Sequence, residues 1–307
     1  MPLLYFFESI RTPWLDRLML ILTELGGETA FLAVALIMFW CVDKRKAYYL
    51  MSVGFIGTIG SQFLKIACQI PRPWVRDPGF TIVEAAREGA GGYSFPSGHS
   101  QSAVGTFGSI AITAKQKWLR ILSVFVCILV PVTRMYLGVH TPQDVLVGSA
   151  ISVLLLFALK GVVFGHDGKQ IPMLFAGLVF LSIVYVAYIE LFPFPTDIDP
   201  HNMASARKNA YTLLGTMLGM AAVYWTDETR LHFSTEGTLK TQFLKVLGGI
   251  AVVLLIKEGL RIPLDTIFGG HLIARSIRYN LIVLFAGIVW PMSFPAISRW
   301  AERIRCV

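Results

Sequence analysis

Charge is what this chain has least of. Only 15% of its 307 residues are Asp, Glu, Lys or Arg, whereas 55% are hydrophobic. A water-soluble domain carries about 25% charge, so a soluble globular fold is excluded. The mean hydropathy of +0.63 places the chain in lipid. Cysteine is scarce too: Cys41, Cys68, Cys127 and Cys306 stand alone without metal-ligand spacing. They fall at different depths of the expected topology, so no disulfide is expected. Residues Met1 to Arg11 lack a basic n-region and Glu8 interrupts their apolar run, so no cleavable signal peptide is expected. The sequence shows no internal repeat, no low-complexity segment and no soluble basic domain. The net charge of +8 therefore does not speak for nucleic acid. Short cytoplasmic loops rich in Lys and Arg explain part of it, and a phosphate-binding site would explain more.

What is present is a series of apolar runs. Residues 12–25 place Trp14, Leu15, Leu18, Leu22 and Leu25 on one helical stripe, the pattern of an amphipathic helix in the membrane interface. Runs follow at about 28–42, 47–68, 97–114, 118–137, 142–164, 171–192, 209–225, 242–260 and 277–296. At roughly 20 residues per crossing these make about nine spans. The expected fold is an all-α integral membrane protein. It is a polytopic helical bundle of about nine transmembrane helices plus an N-terminal interfacial helix, in one membrane domain over 1–307. Basic stretches at Asp43-Lys44-Arg45-Lys46, at Lys115, Lys117 and Arg120, near His166-Asp167-Gly168-Lys169, and at Arg299, Arg303 and Arg305 mark cytoplasmic ends. That puts the N-terminus outside and the C-terminus inside. Gly54, Gly57 and Gly60 share one side of the second span, where helices can pack closely. The third span, rich in Ser, Gly and Ala, suits a place among helices rather than against lipid. Pro131 predicts a kink in the fourth.

Counting spans brings three polar clusters to one membrane face. Lys65 to Arg72 ends an outward-going helix, and Pro96-Ser97-Gly98-His99 opens the next inward-going one. Thr133 to His140 ends the following outward helix, and Asp144 lies in the first turn of the one after. Each cluster alone has a bland explanation. Lys65 can snorkel to headgroups, Ser97 can be a cap, His99 a satisfied packed histidine, and Arg134 a headgroup contact. Thr141-x-x-Asp144 matches a capping box. Ionisable residues at a membrane are costly unless paired or used, and here they converge. A helix beginning at Pro-Ser-Gly-His also turns free N–H groups and its positive dipole end toward that face, an anion site. Lys65, Arg72 and Arg134 can neutralise phosphate oxygens. Ser97 and the Gly98 amide can add hydrogen bonds, with glycine permitting close approach.

The order Lys65, six residues, Arg72-Pro73; Pro96-Ser97-Gly98-His99; Arg134, five residues, His140, three residues, Asp144 resembles a known signature. It is similar to that of the type 2 phosphatidate phosphatase superfamily. That family includes lipid phosphate phosphatases, undecaprenyl pyrophosphate phosphatases, glucose-6-phosphatase and soluble vanadium haloperoxidases. The resemblance covers about 47–165, which implies a catalytic core there and leaves 170–307 as additional transmembrane helices of unassigned role. One departure is Thr133, where the family usually has Ser; a hydroxyl is kept. The resemblance implies a membrane phosphatase acting on a phosphorylated lipid or polyprenyl (di)phosphate, with no metal and no cofactor. It implies that His140 is the nucleophile forming a phosphohistidine, that Asp144 holds its other ring nitrogen, and that His99 protonates the leaving oxygen and later activates water. Pro73, Pro96 and Thr133 would support the site. In a bacterium such an enzyme would sit in the cell membrane, its site on the noncytoplasmic side.

Alternatives are phosphotransfer to an acceptor other than water and, in a different class, a lipid transporter or flippase. The aligned His99, His140 and Asp144 speak against a pure carrier. Hydropathy excludes a haloperoxidase. Asp197, Asp199 and His201 read as a solvated turn or a weak cation cluster. His271, Arg275 and Arg278 read as packing or headgroup contacts, His166 and His232 as bystanders, and Lys257 with Glu258 as a structural ion pair.

Overall fold

The computed structural model describes residues 1–165 and 168–303. Of the positions singled out above, His166, Asp167, Arg305, Cys306 and the side chain of Arg303 lie outside the described residues. Every regular element among the described residues is helical. Helices α1 (Pro2–Ser9) and α2 (Pro13–Thr23) both begin with proline, which lacks only an amide hydrogen that would go unpaired there. Thr12 caps α2, its Oγ1 accepting from the Leu15 amide at 3.4 Å. A single 3-10 turn leads into α3 (Glu28–Cys41), and α4 (Lys44–Cys68) follows. The polar loop holds the short α5 (Pro73–Arg76). Next come α6 (Gly98–Thr113), α7 (Lys117–Tyr136), α8 (Pro142–Phe164) and α9 (Ile171–Leu191). The chain finishes with α10 (Pro200–Thr226), α11 (Leu239–Gly259), α12 (Arg261–Ile267), α13 (Ile273–Leu284), α14 (Trp290–Met292) and α15 (Phe294–Arg303). Pro131 lies inside α7 without ending it.

Five stretches among the described residues are long and apolar enough to cross a membrane: Lys44–Arg76, Lys117–Tyr136, Pro142–Phe164, Ile171–Leu191 and Ile273–Met292. Pro13–Gly26 and Glu28–Cys41 make a sixth if their 46° bend belongs to one span. About nine were expected from roughly 20-residue apolar runs, and the difference has local causes. Helix α6 has only 16 residues. Helix α10 begins with the polar run Pro200 to Lys208, and α11 carries Lys240, Lys245, Lys257 and Glu258. The segment read as interfacial forms the first half of that bent pair. Trp14 and Ile21 point outward, while Leu15, Met19 and Leu20 pack inward.

The chain forms two compact units. The first comprises 1–32, 49–161 and 193–206. In it α2, α7 and the polar loop enclose Ala86, Ala90, Tyr136, Leu137 and Val139. Tyr136 donates to Asp16 Oδ1 at 2.7 Å, fixing α2 on α7. Helix α6 buries Ser100, Gln101, Ala103, Val104, Gly105 and Thr106, in keeping with its small-residue composition. A side chain at Gly105 would come within 3.3 Å of Val53 and 3.4 Å of the Ser152 hydroxyl. Helices α4, α6 and α8 can therefore approach closely. Of the α4 glycines, Gly54 faces Phe31 and Gly57 faces Gln101, whereas Gly60 faces open space.

The second unit comprises 33–48, 162–192 and 207–307. Its core is aromatic: Tyr48 meets Phe175 and Tyr224, and Phe233 meets Phe39 and Phe294. Trp40 donates to the Ala286 carbonyl and Trp290 to the Lys245 carbonyl, both at 2.9 Å, so both indole N–H groups are satisfied. Among the described cysteines, Cys41, Cys68 and Cys127 are free.

Candidate active site

The site is assembled in the first unit from the C-terminal end of α4, the polar loop and the junctions that begin α6 and α8. Gln69, at φ +50, turns the chain out of α4. The Arg72 guanidinium then meets the loop: Nε donates to Gly92 O at 3.0 Å and Nη2 to Gly91 O at 2.8 Å. Nη1 donates to Val139 O and lies 2.9 Å from His140 Nε2. Lys65 donates to the Tyr93 carbonyl at 2.5 Å. Pro73, at the first position of α5, is buried behind Arg72 in the sequence.

Ser97 caps α6 with its hydroxyl, which accepts from the Ser100 amide at 3.4 Å and the Ser100 hydroxyl at 2.9 Å. The Ser97 amide donates to the Asp144 carbonyl at 2.9 Å, so the starts of α6 and α8 are bound to each other. Gly148, one turn into α8, lies against Ser97; a Cβ there would be 2.5 Å from the Ser97 carbonyl oxygen. The Phe95–Pro96 peptide is cis. Gly98 is the first residue of α6 and His99 the second, the latter half-buried.

Asp144 forms the capping box that its position suggested, and its carboxylate also lies beside His140. With Thr141 it forms the capping box: Oδ2 accepts from the Thr141 amide at 2.7 Å, and the Asp144 amide donates to Thr141 Oγ1 at 3.3 Å. The same Oδ2 accepts from the Ser94 hydroxyl at 2.6 Å and faces His140 Nδ1 at 3.5 Å. A guanidinium can only donate, so His140 Nε2 accepts from Arg72 and the ring proton belongs on Nδ1, toward Asp144. Burial is the main cause that pushes the His140 pKa well below the usual imidazole value; Arg72, Arg134, Lys65 and His99 add to it. The imidazole is therefore neutral, with its Nε2 lone pair directed at Arg72.

Arg134 is 2% exposed, and its Nη1 donates to Thr23 Oγ1 at 3.0 Å. Its Nε and Nη2 are buried without a hydrogen-bond partner. Thr133 donates its hydroxyl to the Val130 carbonyl at 2.7 Å. Three buried cations, Lys65, Arg72 and Arg134, thus act on one another and on His99 and His140, with Asp144 beside Lys65 and Arg72 and Glu24 acting on Arg134. Such a group of buried cations, with the two spare nitrogens of Arg134, suits an oxyanion with several charged oxygens. Among the described residues no three His, Cys, Asp or Glu side chains converge as metal ligands.

Sequence reasoning missed Thr23, Ser94 and the carbonyls of Gly91 to Tyr93. Ser94 could have been noticed as a hydroxyl beside the Pro-Ser-Gly-His run. Nothing marks Thr23, in a segment read as interfacial. Among the weaker candidates, Asp199 caps α10, accepting from the Asn202 amide at 2.9 Å. His271 accepts from the Ile273 amide at 3.1 Å, and His232 is an exposed residue at φ +43. Lys257 and Glu258 are both exposed and, among the described residues, no ion pair joins them, because neighbours one apart on a helix diverge.

The model of the PAP2 superfamily matches residues 45–166, and that of the PAP2 superfamily phosphatase transmembrane extension matches 211–302. Phosphatidylglycerophosphatase B of Bacillus subtilis is 30% identical over 166 residues, covering 50% of this chain and 77% of that protein. The chain belongs to the PAP2 superfamily. It is a membrane enzyme of the superfamily's lipid phosphate phosphatase class, with the transmembrane extension. A probable sphingosine-1-phosphate phosphatase of Dictyostelium discoideum is 27% identical over 199 residues, 58% of this chain and 48% of that protein. The undecaprenyl-diphosphatase of Sulfolobus acidocaldarius is 28% identical over 137 residues, 44% of this chain and 64% of that protein. No solved structure matches the chain. Thr23 lies outside both matched PAP2 stretches, yet it holds a buried arginine of the site.

Proposed function

We propose that this PAP2 protein hydrolyses a phosphomonoester or diphosphate of a membrane lipid through a phosphohistidine on His140, without a metal ion. The observation that carries this reading is the row Arg72–His140–Asp144, with 2.9 Å on the Nε2 side and 3.5 Å on the Nδ1 side. Asp144 keeps the proton on Nδ1 and leaves Nε2 as the nucleophile. The phosphoryl group enters between Arg72 and His140, opening their contact, and takes the unspent donors of Arg134 with those of Lys65, Ser97 and the Gly98 amide. Burial and then Arg134, Arg72 and Lys65 lower the His99 pKa to about 3, so His99 takes up its proton as the phosphate's negative charge offsets them. Nε2 attacks phosphorus as the bond to the leaving oxygen breaks, and His99 gives that oxygen this proton. His99 then takes a proton from water. The water oxygen attacks phosphorus, the P–N bond breaks, and inorganic phosphate leaves neutral His140 behind. The cationic side chains supply the charge stabilisation that phosphoryl transfer rewards.

The three clusters belong at one end of alternating helices. The basic stretches near Lys44 to Lys46 and Lys115 to Arg120 belong at the other. By the positive-inside rule the site then faces the noncytoplasmic side. In this reading α6, α10 and α11 also cross, giving about nine spans, with 47–165 as the catalytic part of one membrane domain. The names of the three relatives point to lipid phosphomonoesters and a polyprenyl diphosphate as substrate classes. Purified protein offered phosphatidylglycerophosphate, phosphatidate, sphingosine phosphate, polyprenyl diphosphate and soluble phosphate esters, with chelator present, should release phosphate from the lipids. Failure on every lipid, or activity that chelator removes and divalent ions restore, contradicts the proposal.

A further inference from the structure

Helix α13 packs tightly on α10 within the second unit. The Ser276 hydroxyl donates to the Tyr211 carbonyl at 2.5 Å, and the Asn280 amide to the Gly215 carbonyl at 3.2 Å. Arg275 and Arg278 flank this seam one turn apart, their guanidinium carbons 5.4 and 5.6 Å from the Tyr279 ring. Arg275 Nε donates to Thr212 Oγ1 at 2.6 Å. Arg278 is 7% exposed, and its Nε is buried without a hydrogen-bond partner. Among the described residues neither arginine has a carboxylate within ion-pair distance; Glu190 of α9 is taken by Arg207 at 3.4 Å. The first turn of α13 holds no acid, so the positive helix end adds to the unbalanced charge. The two arginines belong to the membrane-crossing stretch Ile273–Met292, where a buried, uncompensated cation is costly unless an anion joins it.

We propose that Arg275 and Arg278 form a second anion site that takes a phosphate group. The paired planar forks of two arginines match phosphate oxygens better than a single carboxylate. At the end of a membrane-spanning helix, that phosphate is carried by a phospholipid headgroup or arrives as the free ion. The site lies in the second unit, whereas the catalytic residues lie in the first, so it stands or falls apart from the hydrolytic reading.

The test is native mass spectrometry of the full-length protein with added phosphatidylglycerol or phosphatidylcholine, with and without inorganic phosphate. Wild type should retain phosphatidylglycerol in preference to phosphatidylcholine. Arg278→Gln should weaken that retention by about tenfold or more, the loss of charge-assisted hydrogen bonds, while Arg72→Gln, altered in the catalytic cluster, should keep it. Competition by inorganic phosphate supports a site that reads the phosphate alone, and its absence supports one that also needs the lipid. Should Arg278→Gln fail to fold, the more exposed Arg275→Gln gives the same readout, with a drop of several-fold expected. Retention unchanged in the variant that folds, or equal retention of both lipids by wild type, overturns the proposal.

Discussion

The lysines of the second unit and the site arginines of the first hold their positive charge in opposite ways. In the second, Lys245 is 1% exposed, and its ammonium donates to the Glu236 carbonyl at 3.0 Å, reaches the Ser234 carbonyl at 3.4 Å and sits 4.5 Å from the centre of the Phe294 ring. Lys44 is likewise closed by Asp227 at 2.7 Å. These cations have partners and do structural work. In the first unit, Arg134 keeps two unspent donors and Arg72 presses on the imidazole of His140. Burial alone therefore does not separate a functional cation from a structural one. The separating feature is whether its hydrogen-bonding capacity is used up.

That contrast can be broken most sharply at Arg72. Arg72→Lys keeps the charge but loses the fork that joins two loop carbonyls, Val139 and His140. It should lower kcat/KM of the folded fraction by about 100-fold, the loss of roughly two charge-assisted hydrogen bonds. Lys245→Met should do the reverse, lowering stability by about 1–3 kcal/mol as buried carbonyls lose their donor, with kcat/KM of the folded fraction held. A Lys245→Met protein that is stable but catalytically dead would erase the distinction. Thr23→Val, which frees a third Arg134 donor, should cost about tenfold in kcat/KM, measured with the lipid substrate that the panel identifies.

The smallest effect concerns acid. Because the folded protein depresses the His140 pKa below its unfolded value of about 6.5, the stability tied to neutral His140 is present above that pH. As pH falls below it, the unfolded chain takes up a proton that the folded site resists. Stability should drop by at most about 1.4 kcal/mol per pH unit. Melting curves between pH 7 and 5 should show this slope added to that of His99, whose pKa burial lowers to about 3, and His140→Ala should remove about half of the total.

How much of this was legible follows from the range of the signals. The capping box at Thr141 and Asp144 is local, so four consecutive residues announce it. The meeting of Lys65, Arg72, His99, Arg134 and His140 was readable because helices alternate direction and fix which ends share a face. The covering carbonyls of Gly91 to Tyr93 were not, because backbone acceptors carry no residue signature. Thr23 was hidden for a related reason: one hydroxyl in an apolar stripe looks like any other until Arg134 is seen against it. Length and hydropathy pick out five or six spans among the described residues, and the rest of the expected nine fall where composition and length disagree. Helix α6 is short because it is packed among other helices by Gly105 and its serines, and burial of that kind does not require an apolar surface.

Acid–base stability of the bound phosphate is the most direct test of the central claim. The protein is mixed with lipid substrate labelled with radioactive phosphorus, quenched within one turnover, and digested. Label is expected on the His140 peptide, stable to base and lost in acid, and absent from His140→Ala. Label that persists in His140→Ala, or full turnover by that variant, would contradict it.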